Sequence, residues 1–262
     1  MKLHRIMALT MRHMYLFKRS VPRLMDIFFW PTISLLTWGF LTTYLEKVNL
    51  NTVNIASILL GAIIFWEFLQ RFQNGVSITF LEEVWERNIL NIFVTPITVG
   101  EFLSATTLLG IVRMVCVFAV MSSISLLLYH FSIFSVGMAF IPFMLILMLF
   151  GFSLGVFTMA VILRFGTQAQ VLAFSIIFLF QPLSAVFYPV TALPHFLQFF
   201  AWLLPSTYVF EGMRGVLTNG SVDTALLIQG FIIASIYAAL MVWFFYRMFA
   251  YVKRQGKLLK LE

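Results

Sequence analysis

The 262-residue chain is 61% hydrophobic and only 10% charged, and its mean hydropathy is +0.99. This composition is that of a polytopic membrane protein and excludes a sizeable soluble domain. The formal net charge of +7 does not point to nucleic acid, because basic residues in so apolar a chain act as topology signals and contact anionic lipid. We therefore expect membrane lipids as partners and no nucleic acid.

The first segment, residues 1–25, is predicted to be an amphipathic helix. At about 100° per residue, apolar side chains such as Leu3, Met7 and Met14 share one face. This pattern is typical of an interfacial helix with its apolar face in the acyl boundary. A helix packed on a soluble partner is the alternative, and Pro22 is expected to bend the segment near its end. The basic residues of the opposite face, which should point to headgroups and water, are Arg5, Arg12, Arg19 and Arg23.

Six membrane spans follow, which predicts an all-α integral membrane protein with a single domain over 1–262. The third and fourth are longer than a bilayer requires, and Pro142 is expected to kink the fourth. The predicted spans are 27–45, 54–71, 102–129, 136–163, 169–188 and 224–246.

The basic residues predict the orientation of these spans. Of the 17 lysines and arginines, 14 fall on the side of the N-terminus, only Lys47 and Arg214 fall on the other side, and Arg113 lies within the third span. The positive-inside rule therefore places both termini in the cytoplasm and residues 189–223 outside.

The largest inner loop, residues 72–101, is predicted to contain a short helix. Thr79 and Glu82 have the spacing of a capping box at its start. Pro96 should end it, since the residue before a proline avoids the α region. Such a helix is either a mere connector or a docking element for a cytoplasmic partner.

Proline divides the outer stretch that runs from Gln181 to Arg214. Ten residues, eight of them apolar, lie between Pro194 and Pro205, far fewer than the roughly 20 that cross a bilayer. The stretch is therefore either a set of short helices that re-enter the membrane edge, at about 192–204 and 206–217, or an amphipathic loop on the outer surface.

Two charges are predicted to lie at membrane depth, where an unpaired charge is costly. We expect Glu67 and Arg113 to pair between neighbouring spans; alternatively, Arg113 snorkels or lines a hydrated cavity alone. Gln181 is a candidate for lining a path through the membrane. Glu211 and Arg214 are spaced to pair with each other, as are Glu83 and Arg87.

Two runs together resemble a known family. The inner run EEVWERNILNIFVTPITVGEF resembles the coupling region of type-2 ABC export permeases. The outer run PLSAVFYPVTALPHFLQFFAWLLPSTYVFEGMRGVL resembles the segment between the fifth and sixth spans of that family. The basic N-terminus, six spans and chain length also fit.

The resemblance implies a permease subunit of the bacterial inner membrane, two copies of which pair around a translocation path above separate ATP-binding subunits. The resemblance does not identify the cargo, which could be a drug-like molecule, a lipidic molecule or a lipid-linked saccharide. The residues implied for ATPase coupling are Glu82, Glu83, Glu86, Arg87, Thr95 and Pro96. Those implied for the path or its outer gate are Gln181, Pro182, Tyr188, Pro189, Pro194, Pro205, Glu211 and Arg214.

The chain lacks the glycine-rich phosphate loop of ATPases, so we expect no enzymatic activity of its own. The four histidines, His4, His13, His130 and His195, are scattered. No metal, cofactor or catalytic site is therefore expected. A secondary transporter or channel is the alternative function, although paired intramembrane acids and an inverted repeat are not evident. A membrane enzyme would need a cluster of titratable residues at one interface.

Overall fold

The computed structural model describes residues 2–48 and 53–256, and every regular element in these ranges is a helix. Met1 and the tail from Lys257 onward, which the 1–262 domain and the 1–25 segment include, lie outside the described residues, as do residues 49–52. The α-helices are α1 (Leu3–Lys18), α2 (Val21–Val48), α3 (Val53–Trp85), α4 (Ile89–Val94), α5 (Val99–Tyr129), α6 (Phe140–Phe165), α7 (Val171–Phe180), α8 (His195–Trp202), α9 (Pro205–Asn219) and α10 (Thr224–Arg254).

Four helical segments of the described residues are long and apolar enough to cross a membrane. They correspond to the predicted first, third, fourth and sixth spans, so the prediction of a multi-pass membrane protein is confirmed. The count of six stays a prediction. The four segments are Arg23–Leu45, Val99–Tyr129, Ile133–Ala169 and Thr224–Arg254.

The predicted second and fifth spans differ from the helices found. Helix α3 does not end at residue 71 but continues to Trp85, so residues 72–85 extend the helix rather than open a loop. Helix α7 has only 10 residues, about 15 Å of helix, so an uninterrupted fifth span over 169–188 is wrong. Pro182 lacks the amide hydrogen that would continue the helical ladder, and the chain turns at Ala185, whose φ is 51°.

Two prolines do not act as predicted. The N-terminal segment divides at Arg19 and Ser20, ahead of Pro22, which is the second residue of α2. Pro142 is the third residue of α6. Both positions lie in a first helical turn, where the missing amide hydrogen would have no partner in any case. Neither proline therefore kinks a helix interior.

Helix α3 is the centre of the fold and packs against α2, α5 and α6. Its contact with α5 is unusually close at Gly75, where a Cβ atom would lie 2.5 Å from the Cα atom of Gly110. Small residues permit such an approach between membrane helices. Beyond this crossing, α4 connects the end of α3 to the start of α5.

Candidate functional site

The segment between α3 and α5 is shorter than the predicted inner loop. Helix α3 ends at Trp85, Arg87 has a φ of 53°, and α4 covers only Ile89–Val94. The chain then leaves the helical region at Thr95, whose ψ is 162°, immediately before Pro96. The predicted end of the helix at Pro96 is thus confirmed, whereas its predicted start at Thr79 is wrong.

The capping box lies at Thr98, not at Thr79. The Thr79 hydroxyl donates to the carbonyl oxygen of Gly75, 2.6 Å away and one turn back within α3. At the start of α5 the Glu101 amide donates to the Thr98 hydroxyl oxygen at 3.2 Å. In return, the Thr98 amide donates to the Glu101 carboxylate at 2.9 Å. Pro96 explains the difference, because it interrupts the helix just before Thr98.

The Glu101 carboxylate also holds the beginning of α1. The Lys2 amide donates to it at 2.6 Å, and the Arg5 guanidinium lies 3.6 Å away. Arg5 also donates to the carbonyl oxygen of Pro96. Helix α1 is therefore attached to the same junction at which α5 is capped.

The acids predicted to meet an ATPase are bound within the chain. The Glu83 side chain is fully buried; it accepts a hydrogen bond from Arg12 and lies 2.8 Å from Nε2 of His13. It also accepts a hydrogen bond from Nδ2 of Asn88 at 2.6 Å. The structure thus places Glu83 against α1 and Asn88, although the spacing predicted a pair with Arg87.

Glu82 and Glu86 complete this group. Arg23 lies 3.1 Å from the Glu82 carboxylate, and Arg113 lies 3.8 Å from it. Glu86 is more exposed and is contacted by Arg12 at 3.2 Å. We call Glu82, Glu83 and Glu86, together with the basic residues that contact them, the inner ionic cluster, after the side of the membrane predicted for it. It fixes α1 and the start of α2 to the end of α3.

The inner ionic cluster keeps Glu83 ionised despite its burial. Burial raises the pKa of a carboxyl group, but the contact with His13 and the hydrogen bonds from Asn88 and Arg12 outweigh this effect and hold the pKa of Glu83 below its usual value. Arg12 and Arg23 were expected to point to headgroups and water. They contact the acids of the cluster instead. One signal in the sequence could have predicted these contacts: three acids lie within five positions, at 82–86, and the N-terminal helix has an excess of basic residues.

An apolar surface remains on and beside α4. Trp85, Leu90 and Val94 are all exposed, and Val94 has 77% of its surface accessible. These side chains come from the end of α3 and from α4, next to the inner ionic cluster. Their exposure is compatible with docking of a second protein.

The two charges predicted to pair at membrane depth have other contacts. Glu67 lies 3.3 Å from Arg71 one turn along α3. The Arg113 guanidinium lies over the Phe17 ring, 5.2 Å from its centre, in addition to its contact with Glu82. Glu67 thus contacts a residue of its own helix, whereas Arg113 contacts α1 and the end of α3. The Glu67–Arg113 pair stays a prediction.

Glu211 and Arg214 form the predicted pair, with a separation of 3.1 Å. The pair also clamps the loop after α7. Arg214 donates to the carbonyl oxygens of Ala185 at 2.7 Å and Val186 at 3.2 Å. Glu211 accepts from the amide of Val190 at 2.6 Å. We call this arrangement the outer clamp; its contacts fix loop geometry, and the gate role stays a prediction.

The other residues predicted for the path or the outer gate shape the same loop. The Tyr188 hydroxyl donates to the carbonyl oxygen of Pro182 at 2.6 Å. Pro189 precedes a short 3₁₀ turn, Pro194 precedes α8, and Pro205 is the first residue of α9. The two short helices predicted from the prolines are therefore found, while their depth in a membrane stays a prediction. Gln181 follows the last residue of α7 and lines a cavity between α2, α3 and α7.

Comparison with known proteins agrees with this architecture. A search of curated proteins found no match. The family model described as ABC-2 type transporter matches residues 4–218, which is more than half of the chain and includes both the inner ionic cluster and the outer clamp. The chain therefore belongs to the ABC-2 type transporter family and is an ABC-type permease that passes through the membrane several times.

Proposed function

We propose that the chain is the permease subunit of an ATP-driven exporter. Two copies form the translocation path, and each couples to a separate ATP-binding subunit. The family match over residues 4–218 supports this proposal. The observation that carries the coupling is the exposed apolar surface formed by Trp85, Leu90 and Val94.

The distribution of charge supports the proposed orientation. The 14 basic residues on the side of the N-terminus against 2 on the other side favour cytoplasmic termini in a bacterial inner membrane. With this orientation α4 faces the compartment that holds ATP, and the loop held by the outer clamp faces out. The cargo belongs to one of the three classes that the family resemblance leaves open.

The coupling surface is proposed to be apolar, not acidic. Glu83 is fully buried, Glu82 is nearly so, and the more exposed Glu86 is paired with Arg12. Leu90 and Val94 are exposed. Apolar anchors in the centre of an interface commonly carry most of the binding energy. Helix α4 therefore meets the ATPase, and the acids hold α4 in position through α3.

The test is the recovery of the ATP-binding subunit with tagged permease from the source cell. Replacing Leu90 and Val94 together by aspartate should reduce recovery by about tenfold or more, because charges are placed at the centre of an apolar interface. The permease level should stay near normal, since both side chains are exposed.

A matched control is Val222→Asp, which alters an exposed valine between α9 and α10. It should leave recovery unchanged. Full recovery with the Leu90 and Val94 variant would move the docking surface away from α4. Transport that persists without any ATP-binding subunit would favour the secondary transporter or channel.

A further inference from the structure

A cavity of about 490 Å³ lies between α2, α3 and α7. Part of its wall is polar and comes from one side of α3, where Glu67, Gln70, Arg71 and Asn74 follow one another along the helix; Gln181 adds a further carboxamide from the end of α7. Polar side chains in a membrane helix are costly and therefore rare, and those that occur commonly have a function. The cavity wall is therefore a candidate binding site.

The charges in this wall compensate each other. Arg71 lies 3.3 Å from the Glu67 carboxylate, so the pair contributes no net charge. The carboxamides of Gln70, Asn74 and Gln181 can each donate and accept hydrogen bonds. A ligand rich in hydroxyl groups matches this mixture, because each hydroxyl also donates and accepts. A ligand with net charge matches it less well.

Aromatic side chains form another part of the wall. The rings of Trp38 and Phe187 are stacked, with centres 4.2 Å apart and planes inclined by 15°, and both residues line the cavity. Trp30 lines it as well and is 60% exposed. The face of an aromatic ring is negative, so it attracts the weakly positive C–H groups on one side of a sugar ring.

The wall also has hydrogen-bonding capacity that the protein does not use. Trp66 Nε1 and Asn74 Oδ1 have no hydrogen-bond partner among the described residues, and both residues line the cavity. A buried polar atom without a partner is unfavourable. Because both atoms are themselves buried, a hydroxyl group of a ligand would reach them only after these side chains rotate toward the cavity.

We propose that this cavity binds an uncharged, hydroxyl-rich group of the transported molecule, with the chemistry of a sugar head group. The proposal rests on the proposed function as a permease and narrows the cargo to saccharide-bearing molecules. The carboxamides of Gln70, Asn74 and Gln181 bind hydroxyl groups, and Trp30 and Trp38 pack against the sugar ring.

The test uses full-length permease in lipid nanodiscs and three photoreactive amphiphiles. All carry the same octyl chain with a diazirine, and their head groups are glucose, trimethylammonium and methyl ester. Mass spectrometry then locates the labelled residues. The glucoside should label α2, α3 and α7 around the cavity, and excess octyl glucoside should compete. Preferential labelling there by the ammonium probe, or equal labelling by all three, would overturn the proposal.

Variants identify the groups responsible. Gln70→Leu combined with Gln181→Leu removes two carboxamides, and glucoside labelling should fall about tenfold. Gln168→Leu is the matched control, since this glutamine is exposed outside the cavity and labelling should persist. Gln181→Leu alone alters a half-buried position and should reduce labelling about threefold. This single variant replaces the double variant in the test if the double variant does not fold. Unchanged labelling in a folded variant would contradict the proposal.

The labelling experiment needs no ATP-binding subunit, so the two proposals fail separately. Lost or unspecific labelling with normal recovery of the ATP-binding subunit would overturn the cavity assignment alone. Specific labelling of the cavity without any recovery of an ATP-binding subunit would overturn the coupling to ATP alone.

Discussion

The inner ionic cluster and the outer clamp both join carboxylates to arginines, but they connect different parts of the chain. In the outer clamp Glu211 and Arg214 are three residues apart and bind backbone groups of one loop. In the inner ionic cluster Glu83 binds Arg12, which lies 71 residues away. The first pair is local and fixes a loop, whereas the second arrangement is long-range and joins four helices, α1, α2, α3 and α5.

The difference also concerns burial, which determines the cost of breaking each arrangement. The Glu83 side chain is fully buried, with 0% of its surface exposed, whereas the side chains of Glu211 and Arg214 retain 20% and 11%. A buried charge that loses its partner costs far more than a partly hydrated one. Variants of the two sites should therefore differ in the size of their effect.

The largest effect is expected for Glu83→Lys. A lysine would be buried next to Arg12 and His13, and breaking a buried pair typically costs about 3–5 kcal/mol. The folded permease should be nearly lost, as measured by yield and by thermal unfolding in detergent.

Glu86→Lys is the comparison for this variant, because the Glu86 side chain is 39% exposed and its replacement should leave most of the yield. If Glu83→Lys folded normally and lost only the ATP-binding subunit, Glu83 would be a docking residue, as the sequence first indicated.

A smaller effect is expected for Arg214→Ala in the outer clamp. The carbonyl oxygens of Ala185 and Val186 would lose their donor, which costs about 1–3 kcal/mol where water does not replace it. Limited proteolysis should cut the loop after α7 faster, while α3 and α5 stay protected. Arg214→Lys, which keeps the charge but not the fork of donors, should be intermediate. Equal cleavage in all three proteins would show that the clamp does not hold the loop.

The smallest effect is expected for Thr98→Ala at the capping box. Loss of this cap should lower the free energy of unfolding by about 1 kcal/mol. Thr98→Ser keeps the hydroxyl acceptor and should restore most of it in the same thermal unfolding experiment. Equal stability of Thr98→Ala and the unaltered protein would contradict the assignment of the cap.

These sites also show what the sequence could predict. The Glu211–Arg214 pair, the helix end before Pro96 and the two short helices of the outer stretch depend on neighbouring residues, and all were found. The capping box was misplaced because Thr79 and Thr98 have the same spacing to a glutamate. Only the break at Pro96 distinguishes them.

Long-range contacts could not be predicted in the same way. The partners of Glu82 and Glu83 come from α1, α2 and α5, and their choice depends on how those helices cross α3. The cavity beside Gln181 likewise requires the packing of α2 and α7 against α3. The amphipathic pattern correctly placed Arg12 on the polar face of α1. It could not show whether that face meets water or a buried carboxylate.

The central claim is that Glu83, which precedes α4, binds α1 rather than the ATPase. The most direct measurement is a double-mutant cycle on thermal unfolding of the purified permease, with Arg12→Gln, Glu83→Gln and the combined variant. We expect a coupling energy of about 1–3 kcal/mol, because Arg12→Gln leaves the buried Glu83 carboxylate without its arginine, whereas the combined variant removes both charges. Additive effects, with a coupling energy near zero, would contradict the claim.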